Sequence, residues 1–359
     1  VGCVVVAAWC SRVLTEQDRA SIHLAKARTK AKTKSTLSMA RPLSRLVADY
    51  VVVGAGSAGC VMASRLSQGG KASVVLLEAA PPDSSALIHT PMMIGTLVGH
   101  SKTLNWRYET EPEPQLDGRR LYWPRGKTLG GSSSINAMVY TRGQREDYDH
   151  WGHDLQLDGW SYEHVLPFFK RSQNQERLAP RSAADSQQEQ QRRAIDARYH
   201  GTGGPLNVTD GRAVSPLSHK FVDAAQELGC PTTDDFNGAS QGGFGLYQVT
   251  QIDGQRCSTS RAFLSSSVRQ RPNLHIVTDA LAHRVLFDKT RATGVEFSFS
   301  TGGSKQTQTV HANREVIVCG GAVNSPQLLQ LSGIGDQQLL HRVGVPLVHH
   351  LPGIPLIRF

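Results

Sequence analysis

Ala48-Asp49-Tyr50-Val51-Val52-Val53-Gly54-Ala55-Gly56-Ser57-Ala58-Gly59 is the stretch on which the fold turns. An apolar, β-branched run enters a glycine turn with no polar linker, which predicts a buried strand ending on a tight bend. Residues 60–66 continue as a helix, and residues 72–77 predict a second apolar strand that closes on Glu78. The spacing is that of a βαβ unit.

The glycines have separate physical tasks. The first permits the strand-to-helix turn, the second lets a pyrophosphate approach the backbone, and the third allows the helix to pack on the strand. The open N–H groups and dipole of the helix N-terminus favour phosphate. Glu78 stands where a carboxylate accepts hydrogen bonds from ribose hydroxyls and disfavours a 2′-phosphate, so the motif reads as FAD or NAD over NADP and does not separate the first two. The predicted fold class is α/β with a Rossmann-like domain.

A chain of 359 residues has room for two domains or one large α/β domain with insertions. The formal charge of +9 is concentrated: residues 1–48 hold nine basic side chains against Glu16 and Asp18, a surplus of seven. The basicity therefore belongs to a leader and not to a folded face, which argues against a nucleic-acid partner. Residues 1–47, rich in Lys, Arg, Ser, Thr and Ala, read equally as an organellar transit peptide or as misassigned upstream sequence, with Met39 a candidate start. Six scattered cysteines show no CxxC and no zinc spacing, so no metal is expected, and reduced thiols point to an intracellular compartment. No apolar run reaches transmembrane length.

Further along, residues 106–110 and 121–123 predict a hairpin around Asp117-Gly118. Pro124-Arg125-Gly126-Lys127-Thr128-Leu129-Gly130-Gly131-Ser132-Ser133-Ser134-Ile135-Asn136-Ala137-Met138-Val139-Tyr140 then offers backbone N–H groups and hydroxyls ahead of a predicted helix start. Residues 148–171 and 218–228 carry helical patterns, 244–252 alternates as a strand, and 174–198 reads as a solvated insertion without fixed structure. Strands are expected at 273–277, 281–285, 292–299 and 315–319, with a helix at 325–331.

These motifs, with Gly321-Ala322-Val323-Asn324-Ser325-Pro326-Gln327-Leu328-Leu329-Gln330-Leu331-Ser332-Gly333-Ile334-Gly335, resemble the glucose-methanol-choline (GMC) family of flavin oxidoreductases. The wording of residues 121–126 and 135–140 is especially similar to its choline dehydrogenases. The resemblance covers roughly residues 48–353. It implies a Rossmann-like FAD-binding domain from segments at about 48–150 and 265–353, interleaved with an incomplete α+β substrate domain at about 151–264. It places Gly54, Gly56, Ser57, Ala58 and Gly59 at the FAD pyrophosphate, Glu78 at the ribose, and Ala282 at the adenine. Leu129, Gly130, Gly131, Ser132, Ser133, Asn136, Ala137, Met138 and Val139 would line the flavin, and Gly320-Gly321-Ala322 would lie against the cofactor. Ile135 stands where some relatives attach FAD through a His, so non-covalent FAD is expected.

The implied activity is oxidation of a choline-like alcohol by hydride transfer to flavin, with quinone or oxygen as electron acceptor. A fatty acid photodecarboxylase and a non-catalytic FAD-binding fragment are the alternatives. The family continues past Gly353 with a run absent here, so the chain reads as C-terminally truncated, without the catalytic His and its His or Asn partner, and little turnover is expected of it alone. His200 and His283 read as hydrogen-bonded structural histidines. The leader favours mitochondrion over plastid, and cytoplasm otherwise.

Overall fold

Leu46–Val53 (β1) is the centre of the fold. Val51 and Val52 are fully buried although they point to opposite faces, as a strand covered on both sides requires. The structure, a computed structural model, describes residues 46–179, 186–299 and 307–354, all within the unit Arg45–Phe359. The expected leader lies outside the described residues.

Ser57–Leu66 (α1) follows the glycine turn, and Val74–Leu77 (β2) returns parallel to β1. Their register is pinned by a side-chain clasp, in which the Asp49 carboxylate accepts from the Ser73 N–H at 2.8 Å and the Ser73 hydroxyl at 3.0 Å. Leu274–Val277 (β3) adds outside β2 in parallel. Ala280–Asp288 (β4), Arg291–Phe299 (β5) and Thr307–Val318 (β6) follow, and β6 inserts beside β1 in parallel. The spatial order is β3-β2-β1-β6-β5-β4, a parallel core of four strands extended by an antiparallel pair.

Side-chain alternation divides the core between the two faces of this sheet. On one face Val51, Val53, Val75 and Leu77 meet Val285, Val295, Phe297 and Leu328, the last from the helix Gly321–Leu331 (α3). On the other, Val52, Val74 and Leu76 meet Cys60 and Ala63 of α1 and Phe263 of the short helix Thr259–Phe263 (α2). The strand termini where ligands of α/β sheets gather lie between these layers.

The predicted hairpin is present, Tyr108–Glu109 pairing antiparallel with Tyr122–Trp123. Three other expectations need correction. The Gly130 region does not start a helix: Gly131–Ser134 is a single 3-10 turn, and Met138, at φ 63°, turns the chain toward a bridge between Val139 and Val249. The predicted helix over 148–171 is interrupted. Arg145–Asp149 runs into one π turn, His150–Asp154, and left-handed Gln156 and Gly159 then redirect the chain into Tyr162–Ser172.

The segment 174–198, read as lacking fixed structure, instead includes the strand Gln173–Gln175, a 3-10 turn at Glu176–Leu178 and the helix Gln187–Tyr199. Residues 180–185 lie outside the described residues. At the start of the segment Gln175 is buried and donates to Gln248 at 3.0 Å, and its neighbour Gln173 bonds Arg142 and His200, whereas the described side chains of the glutamine-rich helix are exposed or half-buried, as a solvated insertion requires.

Phe297 has 0 % exposure and sits in the larger apolar layer. Phe297→Ala is expected to cost about 3–5 kcal/mol through lost burial and an unfilled cavity, read as a lowered denaturant midpoint with an unchanged slope.

Candidate functional site

The glycine turn is held by contacts that tolerate no side chain. A Cβ on Gly59 would lie 1.8 Å from the Gly54 carbonyl oxygen, and one on Gly54 would lie 2.6 Å from that of Cys319. Gly131 packs against Gly56, where an added Cβ would come within 2.8 Å of the Gly56 Cα. Gly126 is equally closed, since its Cβ would fall 2.1 Å from the Gly131 carbonyl oxygen. Gly56 differs: its Cβ would meet only the Cys319 carbonyl oxygen, at 4.0 Å. Four glycines thus close the backbone on itself, and the fifth keeps space open.

That space is a cavity of about 580 Å³. Gly54, Gly56, Ser57 and Ala58 form one side, with Gly56 as the N-cap of α1 and no side chain capping the helix. The first-turn N–H groups of α1 are therefore available to an anion. Glu78 and Ala79 follow from the end of β2, and Ala280, Leu281 and Ala282 from β4. Gly131 and Ser132 close the loop side, and residues 318–325 line the opposite side.

Trp106 and Arg125 form the outer wall. Lys127 Nζ lies 4.4 Å over the Trp106 ring, Trp106 stacks on Tyr108 with centroids 5.8 Å apart, and Tyr108 OH is bonded to the Asn324 side chain. The wall is thus tied across to α3.

Glu78 is 7 % exposed, and its Oε2 accepts the Ala55 N–H at 2.8 Å, joining the end of β2 to the glycine turn. Burial raises its pKa to about 7, against the opposing effects of the Ala55 and Ala80 N–H groups and the Lys127 charge. Ala80, two residues on, is accommodated in full burial.

Of the residues predicted to touch cofactor, Gly54, Gly56, Ser57, Ala58, Glu78, Gly131, Ser132 and Ala282 line this one cavity. Gly59 and Gly130 stand behind its wall, Gly130 donating to the Ala55 carbonyl at 2.7 Å. Leu129 is buried in the core beside α1. Ser133 bonds Thr259 of α2 through its hydroxyl, at 2.8 Å. Asn136, Ala137 and Val139 are exposed on the continuation of the loop, and Met138 is buried. None of these last residues lines the cavity.

Trp106, Arg125 and Asn324 were absent from the predicted set, since a side-chain wall has no glycine signature. The two histidines singled out lie elsewhere. His200 is buried, with Nε2 at 2.7 Å from Asp235 and Nδ1 against Gln173, and His283 bonds Ser298 at 2.7 Å.

Residues 48–352 match the family model described as GMC oxidoreductase. The chain belongs to the GMC oxidoreductase family. Its sheet is that of a Rossmann-like FAD-binding domain.

Among curated proteins, the alcohol dehydrogenase [acceptor] of Pseudomonas putida is 46 % identical over 308 residues, covering 85 % of this chain and 52 % of that one. The mitochondrial choline dehydrogenase of Mus musculus is 45 % identical over 327 residues, covering 87 % and 51 %. The chain spans about half the length of the curated relatives it matches. Among solved structures, pyridoxine 4-oxidase from Mesorbium loti aligns with a TM-score of 0.75 at 31 % identity, covering 85 % of this chain and 55 % of that one. An FAD-dependent oxidoreductase from Chaetomium thermophilum aligns at 0.72 and 32 %, covering 85 % and 51 %.

Two predictions follow from the cavity. Gly56→Ala should fold with unchanged thermal stability and lose roughly tenfold or more in dinucleotide affinity, whereas Gly59→Ala should lose folded stability outright, by about 1–3 kcal/mol or more. Parallel melting curves and FAD titrations check both.

Glu78 favours protons more in the folded cofactor-free protein than when unfolded. Its contribution to stability is thus greatest below 4.5 and is lost as pH rises through about 7, a change of roughly 3 kcal/mol. Melting against pH should show this decline, and Glu78→Gln should flatten it. A ligand whose hydroxyls donate to Glu78 favours the carboxylate, so its affinity should rise over the same interval.

Proposed function

We propose that this chain binds FAD non-covalently and is the cofactor-holding part of an enzyme that oxidises a choline-like alcohol. The observation that carries the reading is Gly56, open toward the cavity and capping a helix without a side-chain cap, beside Gly54, Gly59, Gly126 and Gly131, which are closed by backbone contacts. The first turn of α1 and Arg125 would meet the two phosphate charges. Glu78 would accept from the adenosine ribose and Ala282 would flank the adenine. The loop of residues 129–139 would lie along the flavin. This assigns FAD-binding to about 48–150 and 265–353, and part of a substrate domain to about 151–264.

Bound FAD would supply a two-electron acceptor for hydride leaving a carbinol carbon. The residues of this chain orient it: the cradle fixes the phosphates, Glu78 fixes the ribose, and the wall of Trp106 and Arg125 limits water. No described residue is assigned as the base that takes the hydroxyl proton. The choline dehydrogenase likeness supports a quaternary-ammonium alcohol as substrate and a mitochondrial location, and the acceptor is a quinone or oxygen. No helix among the described residues is long and apolar enough to cross a membrane.

FAD titration of the purified chain, followed by acid precipitation, tests the first part. Saturable binding with all flavin released to the supernatant is expected, and absence of binding refutes it. Anaerobic bleaching of the flavin by choline, in this chain or a longer product of its transcript, tests the second. A flavin that simple alcohols and choline leave oxidised, and that loses a fatty acid carboxylate under light, would favour photodecarboxylation.

A further inference from the structure

The helix Pro216–Glu227 buries a single side chain, Ala225, and leaves its largest apolar residues in solvent. Leu217 is 77 % exposed, Phe221 63 %, and Leu228 at the C-cap 82 %. Ala224 is exposed as well. The steps from residue 217 to 221, 224 and 228 are four, three and four, the spacing of a coiled-coil seam. Ser218 and Val222, both half-buried, turn with Ala225 toward the body of the protein. Phe244, 36 % exposed with its ring centroid 5.8 Å from that of Phe221, widens the stripe at its middle. An apolar helix stripe is ordinarily what packs, and here it is what stands open.

The charges beside the stripe constrain what covers it. Lys220 and Glu227, one heptad apart, flank it on the side away from the body. Lys220 is highly exposed and pairs with Asp223 of its own helix at 3.1 Å. Consider a second copy of the helix, antiparallel about a two-fold axis between Phe221 and Ala224. Leu217 then meets the partner's Leu228, the large Phe221 meets the small Ala224, and Lys220 meets Glu227, each contact occurring twice. A parallel pair would instead turn Lys220 toward Ala225, which is buried and uncharged. Size and charge thus complement each other in the antiparallel arrangement.

We propose that this stripe is an isologous contact through which two copies of the chain form a dimer. Apolar burial drives the association, and the Lys220–Glu227 pairs fix its direction. No residue of the stripe lines the cofactor cavity, so the inference is independent of the FAD reading.

The test is sedimentation velocity of the full chain between about 1 and 100 µM, which should show one monomer–dimer equilibrium. Phe221→Asp sets a charge in the seam and should weaken the dimer by roughly a hundredfold, with little change in melting temperature because the side chain is exposed. Lys220→Glu and Glu227→Lys each place like charges opposite one another, and each should weaken self-association by about tenfold. Mixed together, these two variants carry opposite charges at every flanking position, so their heterodimer should recover the original affinity.

A chain that stays monomeric over the whole range overturns the proposal. So does association that Phe221→Asp leaves intact, or a mixture of the two charge variants that binds no more tightly than either alone. A longer product of the transcript that is monomeric, and whose melting temperature Phe221→Asp lowers, would cover the stripe within one polypeptide and overturn the dimer.

Discussion

Backbone meeting backbone, with no side chain between, is the constraint on which this structure depends. Three segments remote in sequence converge there: the turn at Gly54 to Gly59, the loop at Gly126 to Gly131, and Cys319 at the end of β6. Each tolerates the others only because hydrogen replaces a methyl at the contact. Once they close, the shape of the remaining space is set. Rigid main chain defines it, so the cradle has few ways to relax around an ill-fitting ligand.

Two buried charges then give that shape its chemistry. Glu78 holds the turn through the Ala55 N–H and also lines the cavity, so the same buried carboxyl group joins the sheet to the cradle wall. Arg256 lies behind the loop, binding carbonyls where an acid would neutralise it.

Much of this was legible in residues 48–78, where a strand, a glycine turn and a terminal acid are local features. The parallel strands at the centre of the sheet were legible as well, because β-branched runs buried on two faces leave a continuous apolar signal, whereas residues 307–314 of β6, polar and exposed at intervals, were not read as strand. Arg256 was not, since nothing in Gln255-Arg256-Cys257 tells that the guanidinium passes under a loop more than a hundred residues earlier. Trp106 was hidden for the same reason. The helix Gln187–Tyr199 escaped notice because its glutamine-rich composition reads as solvated and carries no apolar face, and Gln175 finds its buried partner only after the chain folds back on Leu206–Asp210. The break between residues 155 and 161 came from backbone turns that aromatic periodicity does not register.

The position of β6 between β1 and β5 has a consequence for biosynthesis. β1 emerges from the ribosome first among the described strands, yet one of its two neighbours is the last strand of the sheet to be made. Until residue 318 is available, the central strand has an unpaired edge, and the cavity lacks Cys319. Such a long closure is slow, and an open edge of this kind invites pairing with other chains. The nascent protein therefore passes through nearly its whole described length before the cradle can exist, and β1 stays open to pairing on that edge throughout the interval.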